Sequence, residues 1–333
     1  MTRFLLTIFA AACISAPASA QITPFSQDIS DAIDDGIAWL DNQGAFNAVS
    51  TAGEGAGLVA LTLLERRLSA DQNARVRGYE GAGVADRQRL DRIIAYIINR
   101  ARGGGGHAIY VYGADIMALA VYIKTGGPRV QDAANALVSN FDGLMAGQNA
   151  SGYWHYTEGG GSDDSSTTQL AMAGLAAARG IFSDPATADN GRLASLNAAA
   201  GRAQAGYARN GRAGGLGNGE AGHGYQPASA LSYQQTASGL WCQIIGGSDI
   251  NTAAVQSYLR WLHQRYRYVN TTGAEGGWPR SYYYYLWSSA KAYTFLEDSG
   301  IEAPAGGVHP DVLGELPANQ GPNYNNRQVN LDP

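Results

Sequence analysis

The sequence predicts an all-α protein, an α/α toroid of five to six helical hairpins whose inner and outer helix rings meet Gly-rich loops at one mouth. Three observations predict it. A Gly-rich loop followed by a helix rich in small residues recurs five times, at starts roughly 50–65 residues apart. Between these copies lie segments with one apolar and one polar face, such as DRQRLDRIIAYIINRA at 86–101. The small-residue helices are nearly free of charge, and TQLAMAGLAAA at 168–178 has none. A helix that is apolar all round is buried all round. Alternation of the two kinds suits an inner ring wrapped by an outer one, with small residues permitting close approach; a helical solenoid with an open ridge is the alternative.

Taken in order, the chain of 333 residues opens on an export signal. Arg3 gives a positive start, Phe4 to Ala12 an apolar stretch too short to span a bilayer, and Ala18-Ser19-Ala20 a small-x-small cleavage site. A lipoprotein site at Cys13 would want Leu three residues earlier, where Ala10 stands. The expected division is a signal peptide over 1–20, a toroid over 21–298 and an irregular Pro/Gly/Asn-rich tail over 299–333. One-sided helices are expected near 28–41, 86–101, 130–146, 192–208 and 251–267. The charge-poor helices are expected to open from Ser50, Tyr112, Asp163, Ala230 and Tyr282. Strand signals are weak: YYYYLW at 282–287 has β propensity, but the residues after it continue at helical spacing.

Composition narrows the partners. The net charge is −5, the only lysines are Lys124 and Lys291, and no basic stripe exists, so nucleic acid is not expected. No run after the signal is read as approaching ~18 apolar residues, so no stable membrane insertion is expected and the mature chain is placed in the periplasm or outside the cell. A monomer is expected. Once Cys13 leaves with the signal, Cys242 is the one remaining cysteine, and its apolar surroundings GLWCQII suggest a buried, inert thiol.

At the repeat units the chain resembles the terpenoid cyclase and protein prenyltransferase superfamily, most of all the squalene-cyclase type repeat. Gln148-Asn149-Ala150-Ser151-Gly152-Tyr153-Trp154 carries that repeat's Gln followed by Gly-x-Trp. Gln264 with Gly277-Trp278 is a longer-spaced copy, and Trp39 to Gly44 keeps the Gln with Phe46 where a Trp would stand. Ser166 to Leu175 and Ser232 to Leu240 are the clearest copies of its Ser/Thr-opened helix, and together the copies cover most of 28–298. The resemblance implies an α/α toroid with a central cavity opening where the inner helices begin. The family's two activities do not carry over. The cyclase D-x-D-D-T acid motif is replaced by Ser162-Asp163-Asp164-Ser165-Ser166, and the prenyltransferase zinc Asp is replaced by Leu240, two before Cys242.

The remaining chemistry gathers in the loops. His107, His155 and His223 stand 8 or 9 residues before Asp115, Asp164 and Ser232; Trp278 stands 9 before Trp287 and Phe46 8 before Glu54. Similar loops would bring all five side chains to one end of the toroid. Asp163 and Asp164 have two readings: one caps the following helix, contributing about 1 kcal/mol, and the other faces the cavity as acid or base. Asp164, Asp163, His155, Asp115 and Glu54 are the catalytic candidates, with Glu158 beside them. Trp154, Tyr153, Tyr156, His107, His223, Tyr225, Trp278, Tyr283 and Tyr284 would supply ligand-binding faces. No cofactor is expected. GGLGNG at 214–219 follows no strand, no phosphate-binding loop occurs, and the three loop histidines show no paired spacing for a metal.

These features suggest an exported repeat protein that binds a small molecule or oligosaccharide in an aromatic-lined central cavity. Two enzymatic alternatives stay open. One is a polysaccharide lyase or glycoside hydrolase on an α/α toroid. The other is a diverged terpenoid cyclase using Asp164 as its acid.

Overall fold

The computed structural model describes residues 22–71, 73–265 and 278–309, giving the backbone alone for 265 and 278–283. The expected signal peptide, most of the tail, and Gly277 of the longer-spaced repeat copy lie outside the described residues, as do the side chains of Trp278 and Tyr283. The chain is mostly helical. In order come α1 (Pro24–Asn42), α2 (Val49–Ala52), α3 (Ala56–Leu64), α4 (Val84–Asn99), α5 (Ala108–Lys124), α6 (Val130–Gly147), α7 (Ser165–Phe182) and α8 (Asn190–Asn210). Three short antiparallel strands follow, β1 (Arg212–Ala213), β2 (Ala221–Gly224) and β3 (Leu231–Ser232), in the order β1-β2-β3. The described elements end with α9 (Tyr233–Ile245), α10 (Ala253–Arg265) and α11 (Trp278–Asp298).

Helix α1 opens on Thr23, whose side chain accepts from Ser26 N while Ser26 Oγ accepts from Thr23 N, with Pro24 in the first turn where its missing N–H is harmless. The charge-poor helices α3, α5, α7, α9 and α11 pack in chain order, each against the next. The one-sided helices α4, α6, α8 and α10 pack against them from alongside. Gly57, Gly113 and Gly174 explain the close approach. A Cβ on Gly57 would run into the backbone of Ala114, and one on Gly113 into the carbonyl of Leu170. Gly174 sits opposite the Cα of Gly113, so α5 and α7 cross with glycine facing glycine. At the far side of the series, Lys291 on α11 lies 3.6 Å from Glu65, the residue that ends α3.

The one-sided helices fall close to their expected places, and four differences are informative. Helix α5 begins at Ala108, four residues before Tyr112, so Asp115 lies inside it rather than at its start. Helix α11 likewise already includes Trp278, ahead of the expected Tyr282. The strands were not expected; they are two to four residues long, and Gly222 and Gly224 suppress any alternating pattern. Gly105–Lys124 also reaches a mean hydropathy of 1.3, long and apolar enough by composition to cross a membrane, contrary to the expectation that no such run exists. Most of this segment is buried against α3, α6 and α7. Residues 301–309 form no helix or strand, and Val308 is tied to α10 by two hydrogen bonds with Gln256, at 2.8 and 3.0 Å.

Candidate functional site

A cavity of about 1290 Å³ lies between α1, α3, α5, α7 and α11. Its walls are mainly apolar: Ile33, Ile37 and Leu40 from α1, Leu58 and Leu61 from α3, Leu170 from α7. Trp39, Tyr110, Tyr156, Tyr284 and Trp287 add flat faces. Ile29, Ile33 and Ile37 follow at helical spacing on α1, which turns one apolar stripe toward this space and the smaller one beside Phe25. The stripe is not packed shut. Trp39 remains 61% exposed and Leu58 42%. A buried polar layer sets the position of Tyr284: Ser238 Oγ donates to Gln169 Oε1 at 2.6 Å and lies 3.1 Å from Tyr284 Oη, and Gln169 Nε2 donates to Ser288 Oγ at 2.7 Å.

The polar groups of the cavity sit at its two ends. At one, His107 Nδ1 lies 2.9 and 3.0 Å from the two carboxylate oxygens of Glu54. The His107 ring meets Tyr156 edge-on at 5.3 Å, and Tyr156 stacks on Tyr110 at 5.7 Å. Burial pushes the Tyr110 phenol up to about 12, and its hydroxyl is bonded to Ser166 Oγ. The Tyr156 hydroxyl is bonded to that of Tyr225. At the other end, about 15 Å along α3 from its rise per residue, Arg66 pairs with Asp34 and Glu65 with Lys291.

Arg100 fixes the Glu54 loop. Its Nε donates to Asp115 Oδ2 at 2.9 Å, and its guanidinium also donates to the carbonyls of Gly53 and Glu54. Asp115 is fully buried, and burial raises its carboxyl to about 6 against the opposing pull of Arg100. Its task is therefore to hold Arg100, and through it the turn that carries Glu54; it does not border the cavity.

Asp163 and Asp164 are both engaged in local structure. Asp164 is the N-cap of α7: its Oδ1 accepts from Thr167 N at 2.8 Å and Ser166 Oγ at 2.7 Å. Asp163 accepts from Asn149 Nδ2 at 2.8 Å and from Ser151 Oγ, closing the loop of the Gln148–Trp154 motif. Neither lines the cavity. Within the motif, Gln148 Nε2 donates to the carbonyls of Gly152 and Ala199, and Trp154 Nε1 donates to Leu144 O at 2.7 Å. The motif thus pins the loop between α6 and α8.

The expected convergence of five loop side chains on one mouth is corrected. Trp278 lies outside the described side chains, and of the other four only His107 borders the cavity; the His155 ring meets that of Tyr156 edge-on at 5.0 Å. Phe46 is fully buried. His223 is also fully buried, because β2 carries it inward to a cage of Tyr153, Tyr207 and Tyr258, with Nε2 3.1 Å from Tyr153 Oη. Burial lowers its pKa to about 4, so the ring is neutral. Tyr153 and Trp154 are fully buried too and serve packing rather than the cavity wall. Tyr225 stays partly exposed beside Tyr156 without lining the cavity, and Glu158 is held by Arg102 and Tyr112. Cys242 is buried, which raises its thiol pKa, in keeping with an inert thiol. Among the described residues no group of three or more His, Cys, Asp or Glu gathers as metal ligands. Trp39, Leu58, Tyr110, Leu170 and Trp287 form walls that sequence reading did not single out. The i, i+4 stripe of Ile29, Ile33 and Ile37 on α1 was a signal for the wall opposite them.

No family model, curated protein or solved structure matches the chain.

Proposed function

We propose that this chain is a binding protein that holds an apolar small molecule in the cavity between α1, α3, α5, α7 and α11. One observation carries the reading: large apolar side chains line an open hollow of about 1290 Å³ that no part of the described chain fills. Drug-sized pockets measure ~300–1000 Å³, so the site suits a larger ligand. Exposed apolar patches of this kind mark binding surfaces rather than packing.

The reading includes a closed α/α toroid of the terpenoid cyclase and prenyltransferase type, lacking that family's acid and zinc ligands. Its supports are the sequential packing of the charge-poor helices and the Lys291–Glu65 pair between the last of them and the first. It also includes export by the leader over 1–20, a monomeric state, and no nucleic-acid partner, the last resting on a net charge of −5. The glycan-cleaving alternative asks for two carboxylates across an open groove. Asp163 and Asp164 are instead bound into the loop and cap before α7. Native mass spectrometry of protein recovered from its own host tests the reading. A retained apolar molecule, released on unfolding, is the expected result. Protein of bare sequence mass that takes up no apolar probe would contradict it.

A further inference from the structure

The polar end of the cavity is chemically one-sided. A carboxylate accepts and cannot donate, so the proton in the Glu54–His107 bond belongs to Nδ1. Glu54 retains further lone pairs and 57% of its side-chain exposure, and His107 54%. The nearby donors already have partners. The Tyr110 hydroxyl is bonded to Ser166, that of Tyr156 to Tyr225, Arg100 to Asp115 and two carbonyls, and Arg102 to Glu158. At the opposite end Arg66 is matched by Asp34 and Lys291 by Glu65. The cavity therefore offers a ligand the carboxylate acceptor of Glu54 at this end, and apolar wall from Leu58 and Leu61 to Leu170.

We propose that the ligand is a single-headed amphiphile whose head group donates hydrogen bonds, a long-chain primary alcohol or amine, with its head at Glu54 and His107 and its tail along Leu58, Leu61 and Leu170. The proposal rests on the cavity being an apolar-ligand site and names the chemistry that site selects. A long-chain carboxylate sets acceptor against acceptor and charge against charge, which rejects it.

The test is displacement of the neutral fluorescent probe N-phenyl-1-naphthylamine from the full chain by dodecane, dodecanol, dodecylamine and dodecanoate, each below its aggregation concentration. Dodecanol and dodecylamine are expected to compete at concentrations roughly tenfold or more below dodecanoate, the scale of a hydrogen bond to a charged group. An amine stronger than the alcohol identifies the cationic head; equal potency identifies hydrogen-bond donation alone. Glu54→Gln, at an exposed position, is expected to keep the thermal midpoint and shrink the gap between amine and carboxylate severalfold. His107→Gln gives a second, independent change at the same end and is expected to weaken the alcohol. Dodecanoate competing as well as dodecanol, or an order unchanged in both variants, would overturn the proposal. If dodecane displaces the probe as well as every headed compound, the head-group selection fails while the apolar site stands. If nothing displaces the probe, both fail.

Discussion

The α5–α7 crossing and the α1–α3 wall are built from the same apolar vocabulary and end in opposite states. At the crossing, Gly113 meets the Leu170 backbone and Gly174 meets Gly113, and the residues around them are buried. At the wall, Ile33, Trp39 and Leu58 face open space and stay about half exposed. Small residues draw helices together until backbone touches backbone, as interiors packed to crystal density require. Large residues that no neighbouring helix covers leave a lined hollow. Apolar character alone therefore does not tell core from site; side-chain size at the contact does.

The sharpest way to break the comparison is to give the crossing a side chain. Gly113→Leu is expected to destabilise the fold by about 3 kcal/mol or more, since the colliding atoms are backbone and cannot turn aside. Urea unfolding reads it, and a loss below about 1 kcal/mol would mean the helices are not in contact there.

Next in size is a pH effect from two groups buried in opposite senses. His223 has its pKa lowered to about 4 from 6.5, so its contribution is present above pH 6.5 and is lost as pH falls through 4. Asp115 has its pKa raised to about 6 from 3.8, so its contribution is present below pH 3.8 and is lost as pH rises through 6. Each shift corresponds to about 3 kcal/mol, and over most of the window from pH 6.5 to 4 they offset each other. In Asp115→Asn the His223 loss stands alone. The variant should lose about 3 kcal/mol more than the wild type between these pH values, as measured by denaturant midpoints at each pH. Parallel pH profiles would show that one of the two assignments is mistaken.

Smaller effects sharpen the other side. Asp164→Ala removes the cap of α7 and should lower stability by about 1–2 kcal/mol in thermal unfolding. A much smaller change would leave the aspartate without its structural role and restore it as a candidate for chemistry. Leu58→Ser should change stability by no more than about 0.5 kcal/mol, because the residue is already exposed. The same substitution should weaken uptake of an apolar probe severalfold, and that separation of binding from folding is what distinguishes wall from core.

The sequence carried the helices better than the site. The one-sided helices were legible because charge marks one face over three or four turns; the expected 130–146 and 192–208 became Val130–Gly147 and Asn190–Asn210. Helix α5 began early because Gly105, Gly106 and His107 read as loop, whereas packing on α3 and α7 sustains the helix from Ala108. The capping role of Asp164 was readable from Asp before Ser-Ser-Thr-Thr. The Glu54–His107 pair was not, since its members are 53 residues apart and meet only through tertiary packing. Nor was the burial of His223, whose glycine neighbours resemble a solvent loop but form β2.

The central claim is that the hollow beside α1 is an occupied site, and Gly36 gives the most direct access to it. Gly36 lines the cavity, and a Cβ placed on it would meet nothing within 4 Å. Titrating N-phenyl-1-naphthylamine into wild type and Gly36→Trp should give saturable one-to-one binding in the first and severalfold weaker binding in the second, with no loss of thermal midpoint. Equal binding by both proteins would place the probe elsewhere and contradict the assignment.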